Sequence, residues 1–131
     1  FTWDKALSLT GNTAPYLQYA YARVRSMLGK AAEEGIEPGP IIVREPAERV
    51  LVLRALRFAD VVERAALTAR PHFLCEYLFE LAGAFSTFYG ALPVLKASPE
   101  QRASRLSLAA LVAETLARGL NLLGITAVDR M

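Results

Sequence analysis

The sequence predicts an all-α fold, a bundle of four long helices joined by short loops. Apolar residues recur at helical spacing in four separate segments, and stretches rich in proline and glycine divide those segments. No stretch alternates apolar and polar residues for long enough to make a strand. A length of 131 residues with 53% hydrophobic content suits a single closed core.

The first helix opens at Asn12-Thr13-Ala14-Pro15 and runs to about Glu34. Thr13 can accept from the unpaired N–H groups of the first turn, where Pro15 needs no donor. Leu17, Ala20, Val24, Met27, Leu28 and Ala31 form its inward stripe. Gly35 to Pro40 ends the helix, and proline geometry keeps Ile41-Ile42-Val43 extended.

The second helix begins near Pro46 and continues to about Thr68, with Leu51, Ala55, Phe58, Val62 and Ala65 on one face. Leu53, Leu56 and Leu67 widen that face so far that a central position is expected. The third follows Pro71 and carries Leu74, Leu78, Leu81, Phe85 and Phe88 up to Gly90. Ser98-Pro99-Glu100-Gln101 reads as a capping box opening the fourth, whose inward residues are Ala109, Val112, Leu116, Leu120 and Leu123. Gly119 inside it costs about 1 kcal/mol relative to alanine, which argues for a close helix contact there. Gly124 stops the helix and releases a tail, Ile125–Met131, that could be docked and used.

No apolar run approaches the ~20 residues that a bilayer-spanning helix needs, and no secretory leader is visible, so a cytoplasmic protein with no membrane association is expected. Cys75 is the lone cysteine, which excludes an internal disulfide and fits a reducing compartment. Phe1 is not a start methionine. The chain is therefore expected to be the tail piece of a longer polypeptide, with residues 1–13 leading in from another domain and residues 14–131 forming the helical one.

The net charge of +2 is uninformative, but its distribution is not. Residues 1–30 carry four bases against one acid, residues 44–70 six against four, and residues 96–118 four against two. Eleven of those fourteen bases are arginines, whose planar fork matches phosphate. Catalytic signatures are missing: there is no phosphate-binding glycine loop and no paired Cys or His at metal spacing. His72 and Cys75, three apart on one helix, read as packing, and Glu33/Glu34, Glu45/Glu48 and Glu76/Glu80 read as solvated faces or helix-start charges. No catalytic residue and no metal ligand is assigned.

On the first helix Tyr16, Tyr19, Arg23 and Lys30 fall on one strip, turned about 110° from the core stripe. Aromatic rings stack unpaired bases while Arg and Lys take phosphates, so this strip suits single-stranded RNA; equally, such tyrosines can simply cover a bundle edge. Arg54, Arg57 and Arg64 make a second outward strip, and Arg102 and Arg105 a third. Arg130 and Met131 end a tail that comes after an ordered helix stop.

Three strings carry a resemblance: Gly11-Asn-Thr-Ala-Pro-Tyr-Leu-Gln-Tyr-Ala-Tyr-Ala-Arg23, then Arg70-Pro-His-Phe-Leu-Cys-Glu-Tyr-Leu-Phe-Glu-Leu-Ala82 with Phe85 and Phe88-Tyr89, then Gly119-Leu-Asn-Leu-Leu-Gly-Ile125 ending in Arg130-Met131. In order and spacing the chain resembles the C-terminal helical anticodon-binding domain of arginyl-tRNA synthetase, a class I enzyme. The resemblance implies a bundle that holds the anticodon arm of arginine tRNA while a separate catalytic domain activates arginine with ATP and Mg²⁺. Neither the HIGH-type nor the KMSKS-type signature of that catalytic domain occurs here, so an isolated chain should not aminoacylate. By position the resemblance places RNA contacts on Tyr16, Tyr19 and Met131, with Arg23 and Arg130 beside them. Family members often have glycine at Ala14 and histidine at Tyr21. His72, in the family's Pro-His pattern, is expected to order its loop. The alternative is a helical protein-interaction domain with no RNA role, whose aromatic surface docks on another protein or on its own catalytic domain; under either reading Phe1 to Leu9 is the segment expected to face the absent domain.

Overall fold

A computed structural model describes all residues, Phe1–Met131, as helices joined by irregular segments. Six helices form: α1 (Trp3–Ala6), α2 (Ala14–Glu33), α3 (Pro46–Leu56), α4 (Phe58–Thr68), α5 (His72–Ala91) and α6 (Pro99–Leu122). The all-α expectation holds, with two differences. A single exposed turn, α1, precedes the bundle, and the expected second helix is two helices that meet at Arg57.

The break has a tertiary cause. In an unbroken helix the Arg54 carbonyl would accept from the Phe58 N–H. Instead the Tyr77 hydroxyl, reaching over from α5, donates to the Arg54 oxygen at 2.7 Å, and Arg57 N–H closes a tighter turn on that same oxygen. Burial pushes the Tyr77 phenol up to about 12, against the pull of Arg57 and Arg54, so it remains a donor at neutral pH.

The central position expected for residues 46–68 belongs elsewhere. α5 packs against α2, α3, α4 and α6, and α6 against α2, α3 and α5. Leu53, Leu56 and Leu67 face outward, more than half exposed, and α4 has no fully buried residue because only one of its sides meets α5. The stripes of the other helices are as the periodicity predicts: Leu17, Val24, Met27 and Ala31 of α2, all five of α5, and Ala109, Val112, Leu116 and Leu120 of α6 are buried. Ala20, Leu28 and Leu123 pack partly buried at the margin. At Gly119 a Cβ would lie 2.5 Å from Leu78 Cδ2, so the close approach of α5 and α6 favours glycine, and any larger residue would force Leu78 to shift.

Residues 36–44 form an extended strap pinned along α6. Gly39 N–H donates to the Ala103 carbonyl at 3.0 Å, and the Ser104 hydroxyl bonds both Ile42 N at 2.8 Å and Ile42 O at 3.1 Å. The strap delivers Glu48 to the interior. This carboxylate, expected to be a solvated or helix-start charge, does sit at the start of α3 but is buried: Oε2 accepts from Arg44 N at 2.8 Å and Glu45 N at 2.9 Å, and Oε1 accepts from Arg105 Nε at 2.7 Å. Arg105, expected on an outward strip, is buried with it and also donates to the Pro93 carbonyl. Burial opposes the Glu48 charge, but the two backbone donors and the guanidinium outweigh it and hold the carboxyl below its ordinary value. The capping box expected at Ser98 is not formed. The Ser98 hydroxyl meets the Gln101 side chain at 3.2 Å instead, while the Glu48 carboxylate caps the start of α3.

Candidate nucleic-acid interface

Thr13 starts α2 as expected, its hydroxyl accepting from Tyr16 N at 3.2 Å. Tyr16 then turns toward the bundle, half-buried with its ring 5.4 Å from that of Phe79. Tyr19 and Arg23, one turn apart, are both exposed. The Arg23 guanidinium lies 6.0 Å from the Tyr19 ring and 5.7 Å from the Tyr89 ring, which α5 presents stacked on Phe85. Sequence reasoning gave Tyr89 no role. An aromatic directly after the buried Phe88 does not by itself point to α2; only the packing of α5 on α2 brings it to Arg23. Below the two rings a cleft of about 240 Å³ is lined by Arg23, Ser26, Met27, Lys30, Phe85, Tyr89 and Leu95.

The tail reaches the same helix. Gly124, at φ +76°, closes α6 with Gly124 N–H on Asn121 O and Ile125 N–H on Leu120 O, each 2.9 Å. The chain then runs along α2 from Gln18, whose Nε2 donates to Thr126 O at 2.8 Å, to Tyr21 and Arg25, which both donate to Asp129 Oδ1. Burial pushes the Tyr21 phenol up; Arg25 pulls it down and Asp129 adds to the rise, so the hydroxyl stays protonated and donating. A second cleft, about 320 Å³, is lined by Arg25, Ser26, Gly29, Lys30, Glu33, Asp129 and Arg130. Ser26 and Lys30 border both clefts, so ring-bearing and tail-bearing surfaces form one continuous face. Arg130 and Met131 are exposed at its end.

Of the five sequence-predicted residues, Arg23 lines the first cleft with the Tyr19 ring 6.0 Å from its guanidinium, Arg130 lines the second, Met131 lies next to it in the chain, and Tyr16 stands apart against Phe79. Three arginines of the other strips are engaged locally: Arg54 pairs with Glu80 at 2.7 Å, Arg64 covers the Phe73 ring at 4.1 Å, and Arg105 is interior. A larger concavity, about 770 Å³, lies elsewhere, between α1 and the start of α2, with Lys5 as its one basic side chain. Exposed rings interleaved with guanidinium and ammonium groups can stack bases and take phosphates together, and this combination is found on the α2 face.

A protein-family model described as the DALR anticodon binding domain matches residues 17–131. The chain belongs to that family. The arginine-tRNA ligase of Actinobacillus succinogenes is 50% identical across 100% of this DALR anticodon-binding chain, and that of Thermobifida fusca is 51% identical across the same share. The chain spans 23% of the length of each. Among solved structures, Thermus thermophilus arginyl-tRNA synthetase superposes with a TM-score of 0.90 at 41% identity, covering all of this chain and 23% of that one. The family match begins at Leu17, just past Tyr16, and includes Tyr19, Arg23, Tyr89 and the docked tail.

Proposed function

We propose that this DALR domain is the anticodon-arm-binding module of an arginine-tRNA ligase. Residues 14–131 hold the anticodon arm of arginine tRNA, and residues 1–13 lead in from a catalytic domain that joins arginine to that tRNA using ATP and Mg²⁺ in the cytoplasm. The observation that carries the reading is the single α2 face on which Tyr19, Arg23, Lys30, Tyr89 and the tail converge, in a chain of the anticodon-binding family. Tyr19 and Tyr89 offer stacking surfaces for unpaired bases of the loop. Arg23, Lys30 and Arg130 take flanking phosphates, Met131 adds an apolar contact, and Tyr16 braces the start of the helix from the side. No group of three His, Cys, Asp or Glu side chains is placed to hold a metal ion. No helix is long and apolar enough to cross a membrane.

The test is binding of an arginine tRNA anticodon stem-loop at two ionic strengths. Affinity should fall steeply as salt rises, because each phosphate contact releases counterions, and Tyr19→Ala should weaken binding by about 1–3 kcal/mol, the worth of one base stack. Helical content should not change, since Tyr19 is exposed. Salt-insensitive association would favour the protein-interaction reading, and a Tyr19→Ala chain that binds normally would remove Tyr19 from the site.

A further inference from the structure

Resting on the anticodon-arm reading, we propose that Asp129 is a positioning residue. Gripped by the Arg25 guanidinium and the Tyr21 hydroxyl, its carboxylate latches the tail across α2 and so sets Arg130 beside Ser26 and Lys30, with Met131 next in the chain, for contact with RNA.

Past Gly124 the chain has left the helix, and three polar tethers hold the tail. Ile125 N–H closes on Leu120 O at 2.9 Å, Gln18 holds Thr126 O at 2.8 Å, and Asp129 Oδ1 accepts from Arg25 Nε at 3.2 Å and Tyr21 Oη at 3.3 Å. Gln18, Tyr21 and Arg25 are spaced three and four residues apart, so they rise along one side of α2 and set the path of the tail. Side-chain burial along that path is shallow: Ile125 and Ala127 pack at the margin of the core, and Met131 is 60% exposed. Asp129 is therefore the last fixed point before Arg130, which lines the basic cleft, and the terminal Met131. Without it the segment beyond Thr126 could swing over roughly 17 Å, at about 3.4 Å per residue, and Arg130 would no longer be held at the cleft.

The latch contributes almost nothing to folding. Its side chains are 47% and 70% exposed, a setting in which ion pairs are weak. Loss of the latch should therefore loosen the tail and leave the bundle intact, which separates positioning from stability.

The chain's two methionines allow that separation to be read directly. With ¹³C-labelled methyl groups, Met27, 4% exposed in the core, reports the fold, and Met131 reports the tail. In Asp129→Ala the Met131 methyl should sharpen to the flexible limit while the Met27 signal stays in place. Affinity for an arginine tRNA anticodon stem-loop should fall about two- to five-fold, toward that of a chain lacking Arg130 and Met131. In a Tyr21→Phe, Arg25→Ala background, which has no latch to lose, adding Asp129→Ala should change neither reading. A Met131 methyl that stays rigid in Asp129→Ala, a loosened tail with unchanged affinity, or a full further loss in the latchless background would each overturn the proposal. If the unaltered chain does not bind the stem-loop at all, the anticodon-arm reading fails and the RNA role of the latch fails with it. The methyl signals still show in that case whether Asp129 holds the tail, so the two failures are told apart.

Discussion

Arg105–Glu48 and Arg25–Asp129 are both arginine–carboxylate pairs that join distant parts of the chain, yet they differ in almost every physical respect. In the first, the side chains are 4% and 3% exposed and the carboxylate has three donors; in the second they are 47% and 70% exposed and the pair secures a tail. The interior pair ties α3 and its strap to α6, and neither partner can be solvated if the other is lost. The outer pair can open into water at little cost. One chemistry serves as a permanent bolt in the seam of the bundle and as a releasable catch on the face proposed to meet RNA.

The strongest way to break this contrast is to truncate each arginine. Arg105→Ala strands a buried carboxylate and should cost about 3–5 kcal/mol in urea unfolding, whereas Arg25→Ala should cost about 1 kcal/mol or less. Similar losses would mean the two pairs are not different in kind. Acidity sharpens the point. Because the folded state holds the Glu48 carboxyl below its ordinary 4.5, its contribution is fully present above that value and is lost as pH falls through the lower folded value. A stability profile of Glu48→Gln should accordingly be flatter in that acid window than the profile of the unaltered chain.

A smaller effect probes the seam without charge. Gly119→Ala gains about 1 kcal/mol of helix propensity but drives a methyl into Leu78, which is fully buried and has little room to move. Overpacking should win and lower stability by about 1–3 kcal/mol, measured by thermal unfolding. A stabilised Gly119→Ala chain would show that α5 and α6 can separate cheaply.

The seam was largely legible in the sequence because its instructions are local. The i, i+4, i+7 stripe of α5, the stop glycines and the interior Gly119 each declare themselves within a few residues. What was misread depends on partners far away in sequence. Arg105 looks like a surface charge and Glu48 like a solvated or helix-start one, and neither shows that the strap buries them together. The bend at Arg57 contains neither glycine nor proline and is set by a hydroxyl from another helix. On the outer face, Tyr19, Arg23 and the ordered tail could be picked out, but Tyr89 and the Asp129 grip could not, since each lies in range of α2 only after the helices have docked.

The Tyr77 hydroxyl carries a consequence for how the bundle is built. Taken alone, residues 46–68 contain nothing to interrupt a rod, so the nascent chain is free to wind straight through Arg57. The elbow arrives only when α5 settles alongside and claims the Arg54 oxygen, which makes the crook of α3 and α4 an outcome of assembly.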